Sequence, residues 1–149
     1  MADMESPVCH VSVDLPIPEQ ARLHFERGME LRELHRWKRA SEEFGCARTL
    51  FPDWADAWFW EAVSLDNRGE EAKAIPLYEG AISRGLSGRW RGRAFAWLAS
   101  SCSKAGNPES ALKYLTDAEL AGDYEPRAEF DELARQIRRR VLRKTKNRT

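Results

Sequence analysis

The chain has 149 residues, enough for one domain with a continuous core but short for two. Its 24 Lys and Arg cancel its 24 Asp and Glu, its 42% hydrophobic content is ordinary for a folded domain, and no stretch nears the roughly 20 uncharged apolar residues that cross a bilayer. Cys9, Cys46 and Cys102 are widely spaced, odd in number and form no C-x-x-C pair, which argues against a disulfide framework or a zinc site. The opening residues lack the basic start and apolar run of a secretory signal, so the cytosol is the expected compartment. The zero net charge hides an asymmetry. Eight of the basic residues, and no acidic one, lie from Arg135 onward, which leaves 16 basic against 24 acidic groups in the body.

Residues 1–17, with Pro7, Pro16 and little periodicity, read as a flexible N-terminal arm. Pro18 suits a first helical turn, and Leu23, Met29, Leu31 and Leu34 support a helix to about His35. A second helix from about Trp37 to Leu50 carries Ala40, Phe44, Ala47 and Leu50 on one stripe and ends at Phe51-Pro52-Asp53. The next two run from about Trp54 to Asn67 and from Glu70 to Ser83, with Gly69 at the turn. Pro76 is awkward there, since proline costs about 3 kcal/mol inside a helix. After the turn-rich stretch 84–88 a helix is expected from about Ser87, as N-cap, to Lys104, and another after the turn at 105–108, to about Ala121. An amphipathic helix from about Pro126 closes the chain, with Phe130, Leu133, Ala134, Ile137 and Val141 on one face. The expectation is seven helices and no strand.

Three segments share one frame. Gly28, Ala40, Phe44 and Ala47 recur 34 residues later as Ala62, Ala74, Tyr78 and Ala81, and again as Ala99, Ala111, Leu115 and Ala118 after a three-residue slip; Pro52 closes the first copy, and Gly69 and Gly106 mark the turns of the other two. A fixed period near 34 residues marks a stacked array of helix pairs. These residues resemble tetratricopeptide repeats at about 21–54, 55–88 and 92–123 within residues 18–123, with 124–149 as capping helix and basic tail. The resemblance implies an all-α fold, a right-handed superhelix of three helix-turn-helix repeats with a C-terminal capping helix. There are departures: His35 stands where a turn glycine is usual, Leu115 replaces an aromatic, and Leu86 and Asp123 replace the closing proline.

The resemblance places a concave groove on the first helix of each pair, at Phe25, Met29, Phe59, Trp60, Val63, Asn67, Arg93, Trp97 and Ser100 among others. Its upper part is apolar and aromatic, as binding hot spots are. Either a partner fills it or it is covered from within, since Val8, Val11, Val13, Leu15 and Ile17 form an alternating run able to lie there. The clamp by which relatives grip acidic chaperone tails would need Lys, Asn or Arg at positions held here by Phe25, Met29, Trp60 and Trp97. Only Arg93 fits, so the clamp is not expected.

No catalytic, cofactor or metal motif is present: the three histidines lack metal spacing, and there is neither a phosphate-cradling glycine loop nor G-x-S-x-G. The expected function is a non-enzymatic interaction module, scaffold or adaptor, binding a peptide or helix of a partner protein in the groove. The alternatives are self-association as a homodimer, and nucleic-acid binding through the basic tail. That tail also reads as a solvated face suited to a helix C-terminus, or as a weak attractor of anionic membranes.

Overall fold

The computed structural model describes residues 16–86 and 88–147, and all regular structure among them is helical. In chain order the helices are α1 (Glu19–Glu33), α2 (Trp37–Leu50), α3 (Ala55–Asn67), α4 (Glu71–Ser83), α5 (Trp90–Lys104), α6 (Pro108–Ala121) and α7 (Arg127–Asn147). Each packs on its successor, and α7 also lies against α5. Three helix pairs thus stack into a right-handed superhelix, and the last helix folds back over the final pair.

Small residues set how closely the helices of a pair approach. Ala40, Ala47, Ala74, Ala81 and Ala111 are fully buried, and Ala118 nearly so. A Cβ on Gly28 would sit 2.7 Å from the Phe44 ring, closer than carbon atoms pack, so α1 meets α2 only because that position is glycine. A Cβ on Gly80 would likewise overlap the Trp58 ring. Trp58 lies between Arg84 and Arg48, whose guanidinium carbons are 3.7 and 5.1 Å from its ring centre. Arg48 also pairs with Glu61 at 2.5 Å, and the Trp58 indole and the Arg84 guanidinium both donate to the Pro52 carbonyl. This joint ties the first pair to the second.

The three turns inside the pairs share one geometry. Gly69 and Gly106 have φ of +80° and +83°, and His35 takes the same left-handed region at +57°. The next residue then donates to the carbonyl five positions back: Arg36 to Leu31, Glu70 to Leu65 and Asn107 to Cys102, each at 2.9 Å. This helix-ending bond pattern demands a left-handed residue, normally glycine. His35 therefore carries a backbone cost that the other two turns avoid.

Two expectations of detail need adjusting. α5 begins at Trp90, not near Ser87, because Gly88 at φ +66° cannot continue a helix; Ser87 itself lies outside the described residues. Pro76 neither ends α4 nor falls in its first turn. It is exposed, as is Ala72, whose carbonyl it leaves without a donor and which water can satisfy.

The core is built largely of rings. Phe25 stacks on Trp54 at 4.4 Å and meets Phe44 edge-on at 5.4 Å. Phe59 lies within 4.9 to 6.1 Å of Trp60, Tyr78, Trp90 and Trp97. Trp97 leads on to Tyr124, and Tyr124 to Phe130 of α7. On α7, Phe130, Ala134, Ile137 and Val141 are buried as the amphipathic pattern predicts.

Candidate functional site: an open cleft between α3, α5 and α7

The lining positions expected from the repeat frame separate into two groups. Phe25, Phe59 and Trp60 are buried, at 1, 0 and 3% exposure, and Met29 is half-buried against the core. Toward α1 the aromatic residues therefore seal one another. Trp54 and Trp90, which stand outside the repeated lining positions, complete that seal by stacking on Phe25 and packing on Phe59 and Trp60. Arg32 covers Trp60 from outside, its guanidinium 4.5 Å from the ring centre.

Val63, Asn67, Trp97 and Ser100 instead converge on an open cleft of ≈ 490 Å³. Its walls are the C-terminal half of α3, the middle of α5 and the first half of α7. Helical geometry puts Val63 and Asn67, like Ser100 and Lys104, one turn apart on one face of their helices. Glu129, Glu132, Leu133 and Gln136 form the wall from α7, and Tyr124 stands at the connection before it. α7 is therefore more than a cap, since it supplies one wall of the cleft without closing it. Its sequence signal was present in the polar residues Glu129, Glu132 and Gln136, which recur at helical spacing beside the apolar stripe.

Hydrogen bonds fix the cleft. The Trp97 indole donates to the Tyr124 hydroxyl at 3.2 Å, which donates to Glu129 at 2.6 Å. Arg93 lies near the same carboxylate, at 3.6 Å, donates to the Glu125 carbonyl and covers the Tyr124 ring at 4.6 Å. Arg93 is thus bound into the joint between α5 and α7 and is not a free cation of the groove. Tyr78 donates to Asp66 at 3.0 Å, and Arg140 of α7 donates to both Ser100 and Ser103 at 3.1 Å. At the entrance to α5 the Asp123 carboxylate accepts the Gly92 N–H at 2.9 Å, which gives the residue in the place of the closing proline a capping role.

Burial shapes the acids and thiols here. Desolvation raises the Asp66 carboxyl above its usual range, against the opposing pull of Lys104 and the Tyr78 hydroxyl. Asp56, in the sealed part, is pushed up to about 7 by desolvation, with the neighbouring Trp54 indole opposing. The buried Cys102 thiol is raised to about 11, mainly by burial, which leaves it protonated and a poor nucleophile near neutrality. Among the described residues no group of His, Cys, Asp and Glu is arranged to hold a metal ion, and no helix is long and apolar enough to cross a membrane.

Stacked helix pairs with small residues at the pair interfaces and a polar cleft on one side define a helical-repeat protein. A family model described as tetratrico peptide repeat matches residues 55–145, more than half of the chain, and the chain belongs to that family. No curated protein matches it. Among solved structures it is similar to the type III secretion chaperone SycD of Yersinia enterocolitica in complex with a peptide of the translocator YopD. That match has 14% identity and a TM-score of 0.67, and covers 89% of this chain and 97% of that one. It is also similar to the TPR2AB domain of yeast Sti1 in a complex with pHSP90, at 22% identity and a TM-score of 0.65. There the match covers 86% of this chain but only 47% of the other. At these identities the likeness concerns the fold.

Proposed function

We propose that this protein is a non-enzymatic, cytosolic interaction module that holds a segment of a partner protein in the cleft between α3, α5 and α7. The observation that carries the reading is the cleft itself. It is open, its volume of ≈ 490 Å³ suits a few side chains, and it joins apolar walls (Val63, Trp97, Leu133) to polar groups (Asn67, Ser100, Gln136). The aromatic end of the inner face is scaffold in this reading, because its rings are spent on one another. The SycD and Sti1 structures named above are complexes, with a YopD peptide and with pHSP90, and that supports a protein or peptide partner here. Cys46 and Cys102 are free, in keeping with a reducing compartment.

Photo-cross-linking tests the assignment. A benzoylphenylalanine at Asn67, on the cleft, is expected to capture a partner segment, while one at the exposed Lys113 of α6 captures none. Equal capture from both positions, or capture from Lys113 alone, removes the cleft from consideration.

A further inference from the structure

The charges around the cleft are not evenly matched. Its carboxylates are hydrogen-bonded: Glu129 by the Tyr124 hydroxyl and Arg93, Glu132 by Arg135 at 2.6 Å and by Gln136 at 3.2 Å, and Asp66, through one oxygen, by the Tyr78 hydroxyl. Its cations make no ion pair at contact distance, although Lys104 attracts Asp66 from further away. Lys104 lines the cleft and Arg140 adjoins it, half-buried, and neither has a carboxylate within ion-pair distance among the described residues. Arg140 is held only by the neutral Ser100 and Ser103 hydroxyls. A guanidinium that is partly desolvated and paired only with neutral acceptors keeps most of its capacity to bind an anion. Ser100, Ser103 and Lys104 share one face of α5 at spacings of three and four, so the two hydroxyls that hold Arg140 lie beside Lys104, with Ser100 and Lys104 on the cleft itself.

We propose that this end of the cleft, where Ser100 and Lys104 line it and Arg140 adjoins it on Ser100 and Ser103, binds an aspartate or glutamate side chain of the partner segment. The inference rests on the peptide-binding reading above and names its chemistry. An acidic side chain within a segment fits better than a terminal carboxylate, because the apolar walls at Val63, Trp97 and Leu133 take the side chains that flank it. Asp66, beside Lys104, disfavours a phosphate dianion and leaves a single negative charge as the better match. The cation pair comes from α5 and the capping helix, so it stands apart from the positions occupied by Phe25, Met29, Trp60, Arg93 and Trp97.

Selection from two random twelve-residue peptide libraries tests it, one displayed internally and one with a free C-terminus. The wild-type protein is expected to enrich internal Asp or Glu, and a Lys104→Met, Arg140→Met double variant to lose that enrichment. For a selected peptide, replacing its Glu by Gln is expected to weaken binding about tenfold with the wild-type protein and less than twofold with the double variant. Circular dichroism establishes that the variant is folded, and Lys104→Met alone, on an exposed side chain, is expected to halve the logarithm of the Glu-to-Gln ratio if the fold of the double variant is impaired. Enrichment of basic residues, acids confined to the free C-terminus, or an undiminished Glu preference in the variants would each overturn the inference while leaving peptide binding intact. If neither library yields a binder, the peptide-binding reading falls with it. A concentration-dependent dimer that excludes the selected peptides would assign the cleft to a second copy of the chain.

Discussion

The inner face uses different repeat positions to opposite effect at its two ends. Toward α1 the lining positions hold Phe25, Phe59 and Trp60, which together with Trp54 and Trp90 bury one another. Toward α7 other positions hold Asn67, Ser100 and Lys104, whose small or polar side chains leave a cleft that the capping helix walls but does not fill. Large rigid rings convert a repeat surface into core, whereas short polar side chains keep it available. The first end is therefore core, and the second is the end that the proposed binding uses.

The sharpest way to break this contrast is to truncate one residue from each end. Phe59→Ala removes a fully buried ring from among four others and is expected to cost about 3–5 kcal/mol in urea unfolding. Asn67→Ala, on the rim, is expected to cost under about 1 kcal/mol. Similar losses from both would mean that the cleft is as much part of the core as the aromatic end.

A smaller effect separates the two ends by pH. Asp56 keeps its proton up to about 7 in the folded protein because burial disfavours its charge, whereas the unfolded chain releases it near 4. The folded state therefore binds the extra proton between those values, and this residue's contribution is fullest below about pH 4 and is lost as pH rises to 7. Asp56→Asn does not titrate, so its stability relative to wild type is expected to rise by about 2–4 kcal/mol between pH 4 and pH 8. A difference that stays flat with pH would place Asp56 in a more solvated setting than the sealed end provides.

The smallest expected effect concerns the turn beneath the sealed end. His35→Gly relieves the left-handed backbone at the loss of a stacking contact with Trp37 at 5.5 Å. A net gain of about 0.5–1 kcal/mol in unfolding free energy is expected, with peptide affinity unchanged. A loss of stability would show that the His35–Trp37 stack outweighs the backbone cost.

Much of this fold was legible because its rules are local. The alanines at the pair interfaces, the turn glycines and the apolar stripe of α7 each show as a short periodic pattern within one helix or turn, and the helices fall within about three residues of where those signals put them. The left-handed His35 shows that the turn geometry survives the loss of its usual residue. The aromatic seal was hidden because it depends on partners far apart in the chain: Phe25 needs Trp54, and Phe59 needs Trp90 and Trp97. Residues expected as an exposed hot spot became core for that reason. The far wall of the cleft was hidden in the same way, since Ser100 and Arg140 meet across 40 positions.

Fluorine NMR of the protein labelled with 5-fluorotryptophan tests the central claim most directly, because its six tryptophans report on both ends at once. Titration with a library-selected peptide is expected to shift the Trp97 resonance, on the cleft, and to leave Trp54 and Trp58 unmoved. A shift at Trp54 with Trp97 unchanged would place binding at the aromatic end and contradict the account.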